Sequence, residues 1–349
     1  MSAKDIARLE EARLIGLDWG TTSLRAYLFG KSGEILAENS APSGVMHLER
    51  FCPVGAPDAP RENLFEAALE DICRDWPAEV ILRLPVIACG MVGSTAGWKE
   101  AAYLKTPAGA EELARALTNV ERAKGSTVRI VPGVCASGLA GSQLPEIMRG
   151  EETQIAGILS QKEGGPATRN DHLLVGLPGT HSKWVQVRDG KIVSFATFVT
   201  GELYGLLASH SVIAKTQKKA SRFEEAAFKA GLRLSQRPNA EAAGGLLSTI
   251  FSTRSRRVLG ELKEEEQPDY LSGLLIGEEL AGVERMLLRE RCSLQDFASI
   301  LLAGERDLCV RYQAACNVLG WPVTEMIENA TVRGLWSVAQ QAGMVRSET

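Results

Sequence analysis

No Cys-x-x-Cys pair occurs in this chain, and its seven cysteines are scattered. The four histidines do not fall near them at ligand spacing, so neither a zinc site nor a disulfide framework is supported. Free thiols in a reducing compartment are the plain expectation. Cys309 and Cys316, two helical turns apart, suit one packed helix face. No run approaches the roughly 18 apolar residues of a membrane span. The opening MSAKDIARLEEAR is charged and lacks the apolar stretch of a signal peptide. A basic excess is missing too: the formal net charge is −4, which argues against a polyanion as the main partner. The dense basic stretch Arg254, Arg256 and Arg257 is followed by Glu261 and Glu264 to Glu266 and reads as a self-compensated, solvated face. These absences lead us to expect a cytoplasmic protein with neither nucleic acid nor membrane as partner.

The familiar nucleotide motifs are absent as well. There is no G-x-x-x-x-G-K-[ST], so no Walker-type loop. No two glycines are separated by a single residue, which removes the dinucleotide fingerprint and the protein-kinase glycine loop. G-x-S-x-G is missing, so a serine-hydrolase elbow is unsupported.

What is present is an ordinary globular chain of 349 residues, 45% hydrophobic and 23% charged, long enough for two domains. LIGLDWGTTSLRAYLF, from Leu14 to Phe29, reads as strand, turn, strand, with Asp18 near the end of the first strand and Gly20, Thr21, Thr22 and Ser23 in the turn. A helix is expected near Asn63 to Trp76. VILRLPVIACG reads as an irregular strand entering the loop GMVGSTAGWKE, Ala110 to Lys124 as a helix, STVRIVPGV as a strand and GEETQIAGILSQ as a helix. SQKEGGPATRND is the most linker-like segment. HLLVGLPGTHSKWVQVRDGKIVSFATFVTG then gives three strands, with Asp189-Gly190 as a hairpin turn. Helices are expected near 202–215, 222–231, 240–253 and 270–290. A strand–glycine–helix–strand unit follows over 298–325, its helix carrying Leu308, Tyr312, Ala315, Cys316 and Leu319 on one face, and NATVRGLWSVAQQA supplies a last helix.

The two hairpins align. Gly16 matches Gly176, Gly20 matches Gly179, Thr21 matches Thr180 and Ser23 matches Ser182, about 160 positions apart. Two related domains, 1–160 and 161–349, are expected, each presenting a Gly-Thr turn. Successive N–H groups in such a turn form an anion-binding concavity, and small residues let a phosphate approach the main chain. Taken singly, either turn could be no more than a well-made hairpin. As a pair they could grip a polyphosphate, and Asp18 beside it is a natural partner for Mg²⁺. The turn Ala303-Gly304, between a strand and a helix, could hold a nucleoside.

The blocks IGLDWGTTSLRAYL, GMVGSTAGWKEAAYL, MRGEETQ, LPGTHSKWVQV, VTGEL, LSGLLIGEE and LLAGERDLCVRYQAA resemble the sugar kinase/Hsp70/actin ATPase superfamily, and within it the 2-dehydro-3-deoxygalactonokinase family. They run from residue 14 to about 316. The resemblance implies an α/β, two-domain actin-like ATPase (ribonuclease H-like) fold, with duplicated mixed sheets around a central cleft. It implies an ATP-dependent kinase acting on the 6-hydroxyl of 2-dehydro-3-deoxy-D-galactonate, a step of galactonate breakdown. Asp18 would hold Mg²⁺. Gly20, Thr21 and Thr22 would meet the phosphates from one side, and Gly179, Thr180, His181 and Lys183 from the other, with Ala303 and Gly304 at the nucleoside. An acid on the helix connecting the domains would orient the acceptor hydroxyl. Glu151 and Glu152 are the candidates, with a lean to Glu152 because Glu151 lies nearer the helix start; acids at a helix N-terminus also have a purely structural use. For the sugar acid, Ser94, Thr95, Trp98 and Lys99 are candidates, with Trp98 as a stacking face, and Arg25 is a weaker candidate for the carboxylate. Trp184 is expected in the core. His47, His172 and His210 have no assigned role. A phosphate-ester or polyphosphate hydrolase and a non-catalytic nucleotide switch are the competing readings, and the oligomeric state, a homo-oligomer included, stays open.

Overall fold

The computed structural model describes residues 9–52, 60–137, 144–160, 172–218, 222–236 and 244–345. The linker-like segment, the Pro-rich loop after Cys52 and the first part of the helix expected at 240–253 lie largely outside them.

β1 (Leu14–Trp19), β2 (Leu24–Phe29) and β3 (Ile35–Ala41) form an antiparallel meander. β4 (Val86–Gly90) adds parallel to β1, β7 (Val128–Ile130) parallel to β4, and β6 (Thr118–Val120) antiparallel at the edge. The second half repeats the plan. β10 (His172–Leu177), β11 (Ser182–Arg188) and β12 (Lys191–Phe198) form a meander, β13 (Ser299–Ala303) pairs parallel with β10, and β14 (Val323–Ile327) pairs parallel with β13. The orders β3-β2-β1-β4-β7 and β12-β11-β10-β13-β14 are the same path walked twice. This shared path supports duplication more firmly than the matching letters do. Asp189 and Gly190 both take positive φ, 52° and 72°, as a tight hairpin turn requires. A third sheet joins β5 (Tyr103–Lys105), β8 (Gly133–Ser137) and β9 (Pro145–Met148).

Three local expectations are corrected. The helix expected over Ala110 to Lys124 stops at Arg115, and Thr118–Val120 becomes β6. Thr-Asn-Val is a weak helix former, and β7 offers these residues a ladder. VILR belongs to a short helix, Ala78–Arg83, that ends before Pro85, so only Val86–Gly90 is strand. STVRIVPGV is divided between β7 and β8. Other expectations hold. Arg257 pairs with Glu264 at 2.6 Å, and all seven cysteines are free.

Alternation along β1 decides what each face does. Ile15, Leu17 and Trp19 enter a core with Phe65 of the helix Arg61–Cys73. Leu14 enters a second core that also takes in Ile155 and Ile158 of the connecting helix (Glu151–Leu159), Leu335 and Val338 of the last helix (Ala330–Gln341), and Val175 and Val185 of the second sheet. Asp18 stands on this same face, at the strand's end. The two helices touch backbone to backbone. A Cβ on Gly157 would lie 1.9 Å from the Ala330 carbonyl oxygen, and one on Gly334 would lie 1.8 Å from that of Thr153. The last helix thus follows the second sheet in sequence but packs on the connecting helix and the first sheet. A division near residue 160 separates the two sheets, while this core is shared between them.

Candidate active site

The first turn is held from behind. Gly20 N–H donates to Ser23 O at 2.9 Å, Val45 N–H to Gly20 O at 3.0 Å and Met46 N–H to Thr21 O at 3.1 Å. Gly44 packs against the turn so closely that a Cβ there would lie 2.3 Å from the Thr21 and Thr22 backbone. Thr21 and Thr22 are left exposed. Asp18 is partly buried, and among the described residues no hydrogen bond to its carboxylate is found. Burial pushes its pKa up, while Arg25, its cross-strand partner, pulls it down. A desolvated carboxylate without a donor suits a cation. The described residues contain no cluster of three or more His, Cys, Asp or Glu able to hold a metal ion. A nucleotide-bound Mg²⁺ takes much of its shell from phosphate and water, so the single Asp18 carboxylate fits that ion.

Three acids act on Cys89, at the end of β4. Cys89 is the parallel partner of Asp18. Its thiol is pushed far up by burial first, then by the charges of Asp18, Glu152 and Glu151, against a hydrogen bond with Thr153. The two glutamates differ in use. Glu152 is fully buried and folds back on its own helix, accepting from Gly150 N–H at 2.6 Å and from Thr153 Oγ1 at 3.0 Å. Burial and the neighbouring Glu151 charge raise its pKa to about 8. Glu151 keeps 24% of its side chain exposed and accepts from Arg149 N–H at 3.1 Å. Its Oε1 lies 3.3 Å from Lys183 Nζ on β11. This ion pair links the start of the connecting helix to the second sheet. The lean to Glu152 drawn from helix position thus meets a closed-off side chain, and Glu151 is the acid open to the junction.

The second turn is backed by a helix. Glu202 N–H donates to Thr180 O at 2.9 Å, and a Cβ on Gly201 would lie 2.3 Å from Gly179 O. Both residues open the helix Thr200–His210. His181 Nε2 lies 2.7 Å from Glu202 Oε2. Gly304, at φ 154°, sits against the same turn, since a Cβ there would meet Pro178 O at 3.1 Å. Gly179, Thr180, Ala303 and Gly304 are therefore neighbours, as a site spanning phosphate and nucleoside needs.

The 91–101 loop is placed differently from expectation. Trp98 is 7% exposed, stacked on Phe65 at 5.6 Å and edge-on to Trp19 at 6.0 Å, so its face is taken up by the core and is not open to a sugar. Lys99 Nζ donates to Asn119 O at 2.8 Å, and Ser94 Oγ to Met91 O at 2.7 Å. Thr95 and Arg25 are exposed. Two arginines not singled out from the sequence pin the loop. Arg61 Nη2 donates to Ala96 O at 2.7 Å and to Val45 O at 2.8 Å, joining the loop to the backing of the first turn. Arg149 Nη2 donates to Ala101 O at 2.7 Å, and its guanidinium lies over Tyr103 at 4.3 Å. Arg149 lies inside MRGEETQ, but nothing in that string marks its distant carbonyl partner.

A sequence profile of the 2-keto-3-deoxy-galactonokinase family matches residues 18–338. The chain is similar to the 2-dehydro-3-deoxygalactonokinase of Escherichia coli (strain K12), 34% identical over 94% of this chain and 98% of that one. It is similar also to a Rhizobium meliloti (strain 1021) protein named for the same activity, 33% identical over 93% and 96%. Among solved structures, a Sinorhizobium meliloti protein named for that activity superposes with a TM-score of 0.75 at 28% identity, covering 94% of this chain and 98% of its own.

Proposed function

The chain belongs to the 2-keto-3-deoxy-galactonokinase family of ATP-dependent carbohydrate kinases, built on the actin-like ATPase fold, and from that premise we propose how its own residues act on 2-dehydro-3-deoxy-D-galactonate. The γ-phosphoryl group of ATP passes to the 6-hydroxyl at the junction between the two sheets. The observation that carries this is the Glu151–Lys183 ion pair, which joins the connecting helix to the strand after the second Gly-Thr turn, with the charges of Asp18 and Glu151 both acting on Cys89, the strand partner of Asp18. Phosphoryl transfer needs positioning and neutralisation of spread charge more than covalent help. The N–H groups and hydroxyls of Thr21 and Thr22 meet the phosphates from the first half, with Gly20 leaving room for their approach. Gly179, Thr180 and His181 meet them from the second, with Lys183 as the buried cation paired to Glu151, and Ala303 and Gly304 line the nucleoside side. Mg²⁺, held through Asp18, would supply charge neutralisation to the β- and γ-oxygens. Glu151 accepts the proton of the attacking hydroxyl, and Arg25 offers its cation to the acceptor's carboxylate. Ser94 and Thr95 are the acceptor-side hydroxyls.

No helix among the described residues is long and apolar enough to cross a membrane. A coupled ADP-release assay with ATP and Mg²⁺ tests the assignment, run with the galacto acid, with its gluco epimer and with no acceptor. ADP release that requires the galacto acid is expected. Equal release without acceptor would move the assignment to a hydrolase.

A further inference from the structure

Beneath the second turn lies a carboxylate that the transfer itself does not touch. Glu279, on the long helix Gln267–Arg289, is 2% exposed. Its Oε1 accepts from Trp184 Nε1 at 2.7 Å and its Oε2 from Tyr312 OH at 2.7 Å. The Tyr312 hydroxyl is also 2.9 Å from Ser182 Oγ. Burial raises the Glu279 pKa, and hydrogen bonds from Thr200, Tyr312, Trp184 and Ser182 oppose that rise. A buried carboxylate is tolerated when its lone pairs are filled in this way. An apolar residue in its place would leave several donors orphaned.

These donors are not a random set. Ser182 directly follows the turn Pro178 to His181. Thr200 opens the helix whose Gly201 backs that turn. Tyr312 lies on the helix Arg306–Leu319, which follows Ala303 and Gly304. Each segment carries one wall of the nucleotide site: Tyr312 is bonded to Glu279 directly, Ser182 through the Tyr312 hydroxyl, and Thr200 acts on the same carboxylate.

We infer that Glu279 is a positioning residue for the nucleotide: it locks the second Gly-Thr turn, the helix behind it and the helix after Gly304 into one geometry, and so sets the affinity for ATP and not for the acceptor. This rests on the kinase reading for the location of the nucleotide. Three variants test it. Glu279→Gln keeps the volume but turns an acceptor oxygen into an amide facing donors. Glu279→Asp keeps the charge at shorter reach. Tyr312→Phe removes one donor. The dissociation constant of ATP is read by calorimetry without acceptor, then the KM of each substrate and the Tm. In Glu279→Gln the ATP dissociation constant and KM rise about tenfold, as loss of hydrogen bonds to a charged group predicts, while the keto-acid KM stays within about twofold. Glu279→Asp recovers part of the loss, and Tyr312→Phe moves ATP affinity the same way by less. A folded Glu279→Gln with unchanged ATP affinity overturns the inference. So does a parallel rise in both KM values with a fall in Tm, which marks general loosening. If Glu279→Gln does not fold, unchanged ATP affinity in both Tyr312→Phe and Ser182→Ala overturns it. Wild-type protein that binds ATP but phosphorylates no keto acid would sink the kinase reading alone, because the calorimetric test uses nucleotide only.

Discussion

Gly16 and Gly176 stand at equivalent points of the two sheets, and each leaves room for an aromatic ring on the next strand. A Cβ on Gly16 would lie 2.6 Å from Phe29 Cε2, and one on Gly176 would lie 2.8 Å from Trp184 Cη2. Each turn is then backed by a further glycine in contact with its peptides: Gly44 behind Thr21 and Thr22, Gly201 behind Gly179. The scaffold is repeated, but the chemistry set on it is not. The first turn follows Asp18, a carboxylate without hydrogen-bond donors among the described residues. The second turn opens on Pro178, and the charge beneath it, Glu279, is fully engaged. The two sheets thus share a pair of Gly-Thr turns, and the residues around them differ: a carboxylate without donors beside the first and a fully bonded one beside the second.

The largest effect should come from the feature that only the first turn has. Asp18→Asn removes the anion and keeps the shape. Turnover should fall about a hundredfold to a thousandfold, the scale for losing one preorganised electrostatic group, with the Tm unchanged or raised because burial disfavours the charge. A variant with wild-type kcat would remove Asp18 from the reaction. Next in size is the contrast between adjacent acids. Glu151→Gln should lower kcat by about a hundredfold if this acid accepts the hydroxyl proton. Glu152→Gln should cost far less, since its carboxylate already accepts from Gly150 and Thr153. Steady-state kinetics on the two variants decides the matter, and the reverse order would return the role to Glu152.

A smaller effect tests the backing glycines. Alanine at 44 or 201 puts a methyl group 2.3 Å from turn backbone, which must yield. Gly201→Ala should raise the KM for ATP by roughly tenfold, because it displaces Gly179 and leaves Asp18 and Glu151 in place. Gly44→Ala displaces Thr21 and Thr22 next to Asp18 and should lower kcat as well. Equal kinetic profiles would erase the distinction between a nucleotide-holding turn and a turn allied to the acid.

Much of this was legible in the sequence because the signals are local. Period-two alternation, Asp189-Gly190 and the paired Gly-Thr turns placed both hairpins, and through them Asp18, Gly179 and Thr180. What was not legible depends on partners far along the chain. Residues 118–120 leave the helix because β7 offers a ladder. Trp98 reads as a loop aromatic until Phe65 and Trp19 enclose it. Lys183 lies on a strand of the second sheet and Glu151 on the connecting helix, 32 positions earlier in the chain. Glu279 takes its partners from positions 95 and 33 residues away, and no spacing rule connects them. Choosing between Glu151 and Glu152 turns on which way each side chain leaves the first turn of a helix, and both residue types suit that position.

The smallest effect belongs to Glu152, whose carboxyl is pushed up to about 8, by burial first and by the Glu151 charge second. In the unfolded chain the same carboxyl ionises in the ordinary range, near pH 4.3 or so. Between those two values the folded protein holds a proton that the unfolded chain has released. Stability therefore falls as pH rises through this window, and it is fullest below it. Glu152→Gln has no proton to release, yet its amide oxygen can still accept from Gly150 N–H. Its Tm should decline less than that of the wild type between about pH 5 and pH 8, and the two curves should converge at the acid end. Thermal unfolding across that range measures the difference. Parallel curves would mean that Glu152 is already ionised in the folded protein, and an ionised, buried acid beside Glu151 would restore it as the competitor for the acceptor's proton.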